Sequence, residues 1–430
     1  SGATITNSGT ASGFGATGAV SWDTSSIKTA GFTATVGIGY FCNTTGGIFT
    51  VALPAGSAGN VVGIADYAQT FNTNNLTISP NGAEKIGGTA ANATMSVNGV
   101  AVTLVYVDAA QGWTVTDSGL STDAPGPTYI TATGGTPCSG AIVCTNYKVH
   151  TFTGPGTFCV SCAGNCAGSN TVDYLVVAGG GGGGNDQYPI PRGGGGGGAG
   201  GYRESPGAAS GCYSVSPLGV SPAVALPVSA TPYSIVVGGG GAGGVNPSPV
   251  CTTGGVQGSL SSFSTIPSAG GGGGQGHSAS CGSTTPCKTA GGSGGGYQIG
   301  LSPGYLKGVG NNPPTTPPQG NNGTEGLSAP GYSYGGGGGA GAVGGSAPNT
   351  TTGGTGGVGV STSITASAVS YAGGAGSNPG GGASPCGTGG AGGPGTNAGT
   401  INKGGGGGGN RTGTGGAGGS GVVIIRYKFQ

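Results

Sequence analysis

Two patterns of apolar and polar positions divide the chain. Up to about residue 116 they alternate in short runs. Phe49, Val51 and Leu53 fall on one side, Ile48, Thr50 and Ala52 on the other, and Pro54 stops the run. Such period-two alternation is the mark of a β-strand. The stretches NVVGIADY (60–67), NLTIS (75–79) and GWTVT (112–116) read the same way, and Asn81 followed by Gly82 marks a tight turn. In 102–107, Val102, Leu104 and Tyr106 oppose Thr103, Val105 and Val107, which predicts burial on both faces, in a sandwich or against partner subunits. No window repeats apolar residues at 3.6 positions between caps, so almost no α-helix is expected.

The second pattern begins near Tyr147. Short apolar strands run straight into unbroken glycine: VDYLVVAGGGGGG at 172–184 and YSIVVGGGG at 233–241. Further glycine runs stand at 193–198, 270–274, 335–339 and 404–409, and an apolar strand, VVIIRY, closes the series at 422–427. The division predicted is an extended arm (1–17), a β module (18–118), a linker and entry segment carrying Pro-Gly-Pro (119–146), and a glycine-rich domain (147–430).

Composition decides whether that last domain is ordered. Glycine accounts for 111 of 430 residues, and charged residues for only 5%, with a formal net charge of +1. This excludes a basic nucleic-acid surface and a polybasic membrane patch, and the apolar runs are too short for membrane insertion. Hydrophobic residues at 34% and so little charge also speak against ordinary disorder. Each fixed glycine costs roughly 0.5–1 kcal/mol relative to alanine, so folding requires a specific return. Glycine's steric asset is close backbone approach. Extended three-fold helices make no internal hydrogen bonds, which leaves every N–H and C=O free to pair with a neighbouring helix. A bundle of polyglycine-II helices satisfies the pattern, whereas a flexible linker has no use for the interposed strands. There is no Gly-X-Y register for a collagen triple helix. The fold class expected is all-β: an N-terminal β-sandwich-like module, then a glycine-rich domain of short β-strands and packed polyglycine-II helices.

Chemistry is sparse. The strand-then-glycine pattern at 174–184 mimics a dinucleotide loop, but NDQYPIP follows where a helix N-terminus should hold pyrophosphate. GSTTPCKT (282–289) misses a phosphate loop because Cys287 replaces the second glycine. His150, His277 and ten scattered carboxylates supply no acid–base pair, and Asp66 and Asp108 read as turn or ladder residues. No catalytic residue, cofactor or metal site is assigned, and an enzyme is not expected. Among eleven cysteines, Cys138, Cys144, Cys159, Cys162, Cys166, Cys212, Cys251, Cys281 and Cys287 are candidates for short-range disulfides in an oxidising compartment. Zinc is the alternative for the Cys159, Cys162, Cys166 cluster, though no second CxxC pair completes four ligands. The segments between glycine runs carry Tyr, Pro and the few charges. Asp186, Gln187, Tyr188, Arg192, Tyr297, Tyr305 and Lys307 are the candidate receptor-binding residues, on loops at the bundle ends.

The order FTGPGTF (152–158), VDYLVVA with its glycine run, the run at 193–201 followed by Tyr202 and Arg203, YSIVVGGGGAGG (233–244) and the terminal GGSGVVIIRY (418–427) resembles the glycine-rich domain of bacteriophage tail-fibre and adhesin proteins. The resemblance spans about residue 147 to the C-terminus. It implies a polyglycine-II bundle and receptor binding through loops at its tip. GIFTVALP (47–54), Asp66, Tyr67, Asn74, Asn75 and Trp113 are more loosely similar to β modules of marine phage fibre proteins. The cysteines at 159–166 interrupt the usual strand-to-strand link, which points to a secreted, disulfide-locked product. The resemblance implies a fibre or adhesin subunit at the virion surface or outside the cell. Its partners would be itself, as a homotrimer, and a host cell-surface glycan or protein. The alternative is a subunit of an extracellular filament polymer joined by strand addition.

Overall fold

A computed structural model describes residues 20–119, 128–165, 168–185, 193–211, 213–219, 224–245, 253–276, 289–298, 308–328, 331–394 and 397–430, except the side chains of 118 and 119. It divides into two units, 1–126 and 127–430. Both are β-structured. Among the described residues the helical content is one 3-10 turn, Pro217–Gly219, and no helix is long and apolar enough to cross a membrane.

The alternating strands of the first unit build two facing sheets. One runs Ser21–Lys28, Ile38–Cys42, Val61–Asp66, Ala101–Asp108, Gly112–Gly119, and the other Phe32–Thr33, Phe49–Ala52, Leu76–Ser79, Ala93–Met95. Through Leu76–Ser79 the chain crosses to the opposite sheet after every strand. Each strand therefore returns to its own sheet in the same direction, and the first three of each sheet pair parallel. The opposing strand serves as the crossover that parallel pairing usually takes from a helix. Val51, Leu53, Val62, Ile64, Phe71, Leu76, Leu104 and Trp113 fill the space between the sheets.

Two expectations change. In 102–107 only Leu104 is buried, and Val107 is 46% exposed, so within this unit the outer face is uncovered. Gly82 does take a left-handed turn, with φ of 56°, but it opens the long connection from Leu76–Ser79 to Ala93–Met95 rather than a tight hairpin. Asp66 accepts the backbone N–H groups of Thr70, Phe71 and Gly99, and Asp108 those of Ala110 and Gln111, so both fasten turns.

The second unit is organised around its last strand. Val422–Lys428 lies between Tyr147–Phe152 and Thr171–Val177, antiparallel to both, in a sheet completed by Thr136–Val143, Tyr202–Glu204 and Leu226–Pro227. A second antiparallel sheet holds Ile130–Thr133, Gly156–Ala163, Pro232–Val236, Ser261–Phe263 and Ile266–Ser268. Val172, Tyr174, Val176, Val423, Ile425 and Tyr427 pack with Phe158, Ile235 and Phe263. The alternate positions Leu175, Val177, Val422 and Ile424 pack with Ala199, Tyr202 and Tyr371. Both faces of the first sheet are therefore covered, which is why its central strands are apolar at nearly every position.

His150 is completely buried between the sheets. Its Nδ1 lies 2.6 Å from the Gly134 carbonyl, which can only accept, so Nδ1 carries the proton and Nε2 accepts from the Tyr427 hydroxyl at 3.1 Å. Burial favours the neutral ring and lowers its pKa, against the Gly134 hydrogen bond, which raises it. The unfolded state, titrating near 6.5, therefore takes up a proton before the folded state does. This contribution to stability is complete above about pH 6.5 and is lost as pH falls, by up to about 1.4 kcal/mol per pH unit until the folded-state pKa is reached. Chemical denaturation between pH 8 and 5 should show that slope, and His150→Gln should reduce it.

The short-range disulfides are not formed among the described residues: Cys138, Cys144, Cys159 and Cys162 are free and exposed. Cys159 and Cys162 both lie on Gly156–Ala163. The strand bulges between them, Cys159 pairing with Thr133 and Cys162 with Thr131, so both thiols lie on the exposed face without a bridge. Cys138 lies within Thr136–Val143 and Cys144 just past its end, separated by extended chain. Cys166, Cys212, Cys251, Cys281 and Cys287 lie outside the described residues. Among the described residues no three His, Cys, Asp or Glu side chains group as metal ligands.

Candidate functional site: the glycine lattice and its far end

Residues 179–185 show how the glycine runs are held. The N–H groups of Gly179, Gly182 and Asn185 donate to the carbonyls of Ser259, Val256 and Thr253. Those of Gly180 and Gly183 donate to Gly419 and Gly416, and those of Gly181 and Gly184 to Gly198 and Gly195. The carbonyls of Gly179 and Gly182 accept from Gly271 and Gly274, those of Gly180 and Gly183 from Gly241 and Gly244, and those of Gly181 and Gly184 from Gly407 and Asn410. Each direction of bonding recurs every third residue, which is the period of a polyglycine-II helix. The helix thus has six neighbours, three antiparallel that accept from its N–H groups and three parallel that donate to its carbonyls. The run from 194 to 201 also has six neighbours, 178–184, 269–275, 293–296, 335–338, 375–378 and 404–407, of which 335–338 runs parallel and the other five antiparallel. The backbone hydrogen bonds that a glycine helix cannot make internally are made between helices, at 2.8–3.4 Å within these two runs.

The lattice has a direction. Thr171–Val177 feeds 178–185, so Asn185 ends its helix away from the sheets, and the hydrogen bonds place Gly195, Gly244, Thr253, Gln275, Gly296, Asn378 and Asn410 around that end. It carries a belt of buried amides. Gln298 donates its N–H to Gln275 Oε1 at 2.6 Å and its side-chain amide to the Leu327 carbonyl at 3.2 Å. Asn410 donates its side-chain amide to Thr414 O, and Asn185 donates its own to Gly413 O. Asn185 Oδ1, Gln275 Nε2, Gln298 Oε1 and Asn378 Nδ2 are buried polar atoms without a hydrogen-bond partner among the described residues.

Of the sequence-predicted binding residues, Tyr297 is described. It pairs in parallel with Glu325 beside the amide belt, half-buried, and burial followed by the Glu325 carboxylate raises its hydroxyl pKa. Asp186, Gln187, Tyr188, Arg192, Tyr305 and Lys307 lie outside the described residues, in segments that follow Asn185 and Gln298. The segment 311–322 divides. Asn311 Oδ1 accepts from Thr315 and Gln319 in a loop at the sheet end, whereas Asn321 and Asn322 already belong to the lattice. Sequence reasoning passed over Cys386. Burial alone would push its thiol up, but hydrogen bonds from Ser384, Thr388 and Gly359 hold it below the usual range.

The comparison with curated proteins gave no match. The family model of a glycine-rich domain matches residues 151–428, nearly the whole second unit, from the end of its third strand, Tyr147–Phe152, to the end of the closing one. That span is more than half of the chain and contains the six-neighbour helices together with the strands that begin and end them: the chain belongs to the glycine-rich domain family.

Proposed function

We propose that this chain is a structural fibre subunit of the phage tail-fibre and adhesin type, which attaches a particle to a host surface. The observation that carries this reading is the far end of the lattice. Rigid glycine helices converge on a belt of amides there, and the segments bearing Tyr188, Arg192, Tyr305 and Lys307 depart from the same helices. A stiff scaffold holding variable connections is the general plan of a recognition surface. The chain would act at the virion surface or outside the cell, as a homo-oligomer, with a surface glycan or protein as its target.

A second reading is favoured by one feature of the first unit. Ser21–Lys28 ends its sheet and is largely exposed, an edge suited to strand addition from another subunit in an extracellular filament. Cryo-electron microscopy of the purified chain separates the two. A closed three-fold particle is expected for the fibre subunit, and an open helical polymer with head-to-tail contacts would replace it with the filament. Adhesion is tested separately, by binding of the labelled protein to a panel of bacterial cells. Arg192→Ala together with Lys307→Ala is expected to reduce that binding at least tenfold.

A further inference from the structure

We propose that the first unit carries a binding site for a neutral saccharide, in the depression between its two edge strands, Ser21–Lys28 and Phe32–Thr33. Its biological meaning rests on the attachment reading above, and its chemistry rests on the depression alone. Its floor comes from Phe32, Ile38 and Tyr40, and its rim from Asp23, Lys28 and hydroxyl side chains. Phe32 and Tyr40 meet edge to face with centroids 4.7 Å apart. The Tyr40 hydroxyl accepts from Thr35 N–H at 2.9 Å, which leaves its own proton to donate.

The rim is built by an irregularity. Asp23 pairs with Tyr40 and Lys28 with Cys42, so five steps on the edge strand match two on its neighbour. In a regular strand a spacing of five would put the two side chains on opposite faces. The bulge instead brings Lys28 Nζ to 3.2 Å from Asp23 Oδ2, which is the ion pair found among the described residues. Asp23 Oδ1 also accepts from Ser25 N–H and hydroxyl, Lys28 donates to Ser26, and its ammonium lies 5.8 Å and 5.5 Å from the Phe32 and Tyr40 ring centroids. In a chain with so few charges, this pair stands over the aromatic floor of an open depression.

The pairing selects the ligand. An anion would have to draw Lys28 from Asp23, and a cation the reverse, each leaving a charge without its partner. A sugar hydroxyl donates and accepts at once, so adjacent hydroxyls can bridge carboxylate and ammonium without separating them, while the C–H face of the ring lies against aromatic carbon. Trp22 stands on the other face of the edge strand, its indole over Gly39 and 5.1 Å from the Phe41 ring, so the aromatic floor is Phe32 and Tyr40.

The full chain is titrated with the methyl glycosides of glucose, galactose, mannose and N-acetylglucosamine, and with glucosamine and N-acetylneuraminic acid as charged counterparts. Titration calorimetry and saturation-transfer NMR are read on the same samples. At least one neutral glycoside is expected to bind saturably, and Asp23→Asn and Lys28→Met are each expected to weaken it at least tenfold with the melting temperature unchanged. Silence in both readouts, undiminished binding by the variants, or tighter binding of a charged sugar overturns the proposal. The attachment reading fails separately: a chain that binds a neutral glycoside but adheres to no cell keeps the site and loses attachment, and a chain that adheres to cells but binds no neutral glycoside does the opposite.

Discussion

Gly182→Ala is expected to cost the glycine-rich unit about 3–5 kcal/mol, lowering its melting by roughly 10 °C or abolishing its folding. A Cβ at this position would lie 2.0 Å from the Ala242 carbonyl oxygen and 2.5 Å from its carbon. Both atoms are backbone in a neighbouring helix that is itself held on several sides, so no side chain can swing away. Relief requires a displacement of that helix, and with it the Gly182-to-Val256 and Val256-to-Ala242 hydrogen bonds, both 2.8–2.9 Å. Gly239→Ala is the control. Nothing lies within 4 Å of a Cβ there, and the backbone is not in the left-handed region. The same substitution should then stabilise the unit by about 0.4–1 kcal/mol, because alanine restricts the unfolded chain. Calorimetry of the two variants distinguishes a lattice from a loose glycine-rich segment. If both alanines are tolerated equally, packing of glycine against glycine is not what holds the unit together.

That contrast marks how far the sequence could be read. The strands were legible wherever periodicity is local: Phe49–Ala52, Leu76–Ser79 and Thr171–Val177 were all visible as alternation or as two-sided apolar runs. The glycine helices were legible as a requirement, since free N–H and C=O groups must find partners. Which helix lies against which was not legible, because identical glycines carry no pairing information and the register is set by the strands at their ends. Phe32–Thr33 was missed because two residues hold no period, and with it the alternation of the chain between sheets. For Cys138, Cys144, Cys159 and Cys162 the disulfide expectation failed for the opposite reason. Close spacing in sequence suggested closeness in space, but extended strands separate neighbours faster than any other regular structure. The Asp23–Lys28 rim shows the reverse, a spacing that forbids contact in a regular strand and permits it across a bulge.

Charge was the least legible property, and it supports the second large effect. Arg426 is wholly buried, on the closing strand that the sequence presents as simply apolar. It pairs in the ladder directly with Asp173, also wholly buried. Asp173 accepts from the Ser205 hydroxyl and from the Ser210 N–H and hydroxyl, at 2.5–2.7 Å. Glu204, 2% exposed, accepts from Tyr202, Ser216 and Thr362. Arg426 donates to the Ile364 and Gly211 carbonyls, with its guanidinium 4.9 Å and 5.0 Å from the Tyr147 and Tyr213 ring centroids. Two buried carboxylates and one buried cation thus lie on one face of the sheet. Arg426→Met keeps much of the volume but removes the buried positive charge that offsets two buried carboxylates, each hydrogen-bonded to neutral donors, and should cost about 3–5 kcal/mol. Asp173→Asn should also destabilise, since the amide cannot accept all three hydrogen bonds in the same geometry. Combined, the two changes are expected to cost less than their sum by about 1–3 kcal/mol, because the aspartate charge that the methionine strands is no longer there. Denaturant unfolding of the four proteins measures that difference. Strict additivity would mean that Arg426 is held by its carbonyls and aromatic rings alone, with the charge of Asp173 playing no part in keeping the closing strand in place.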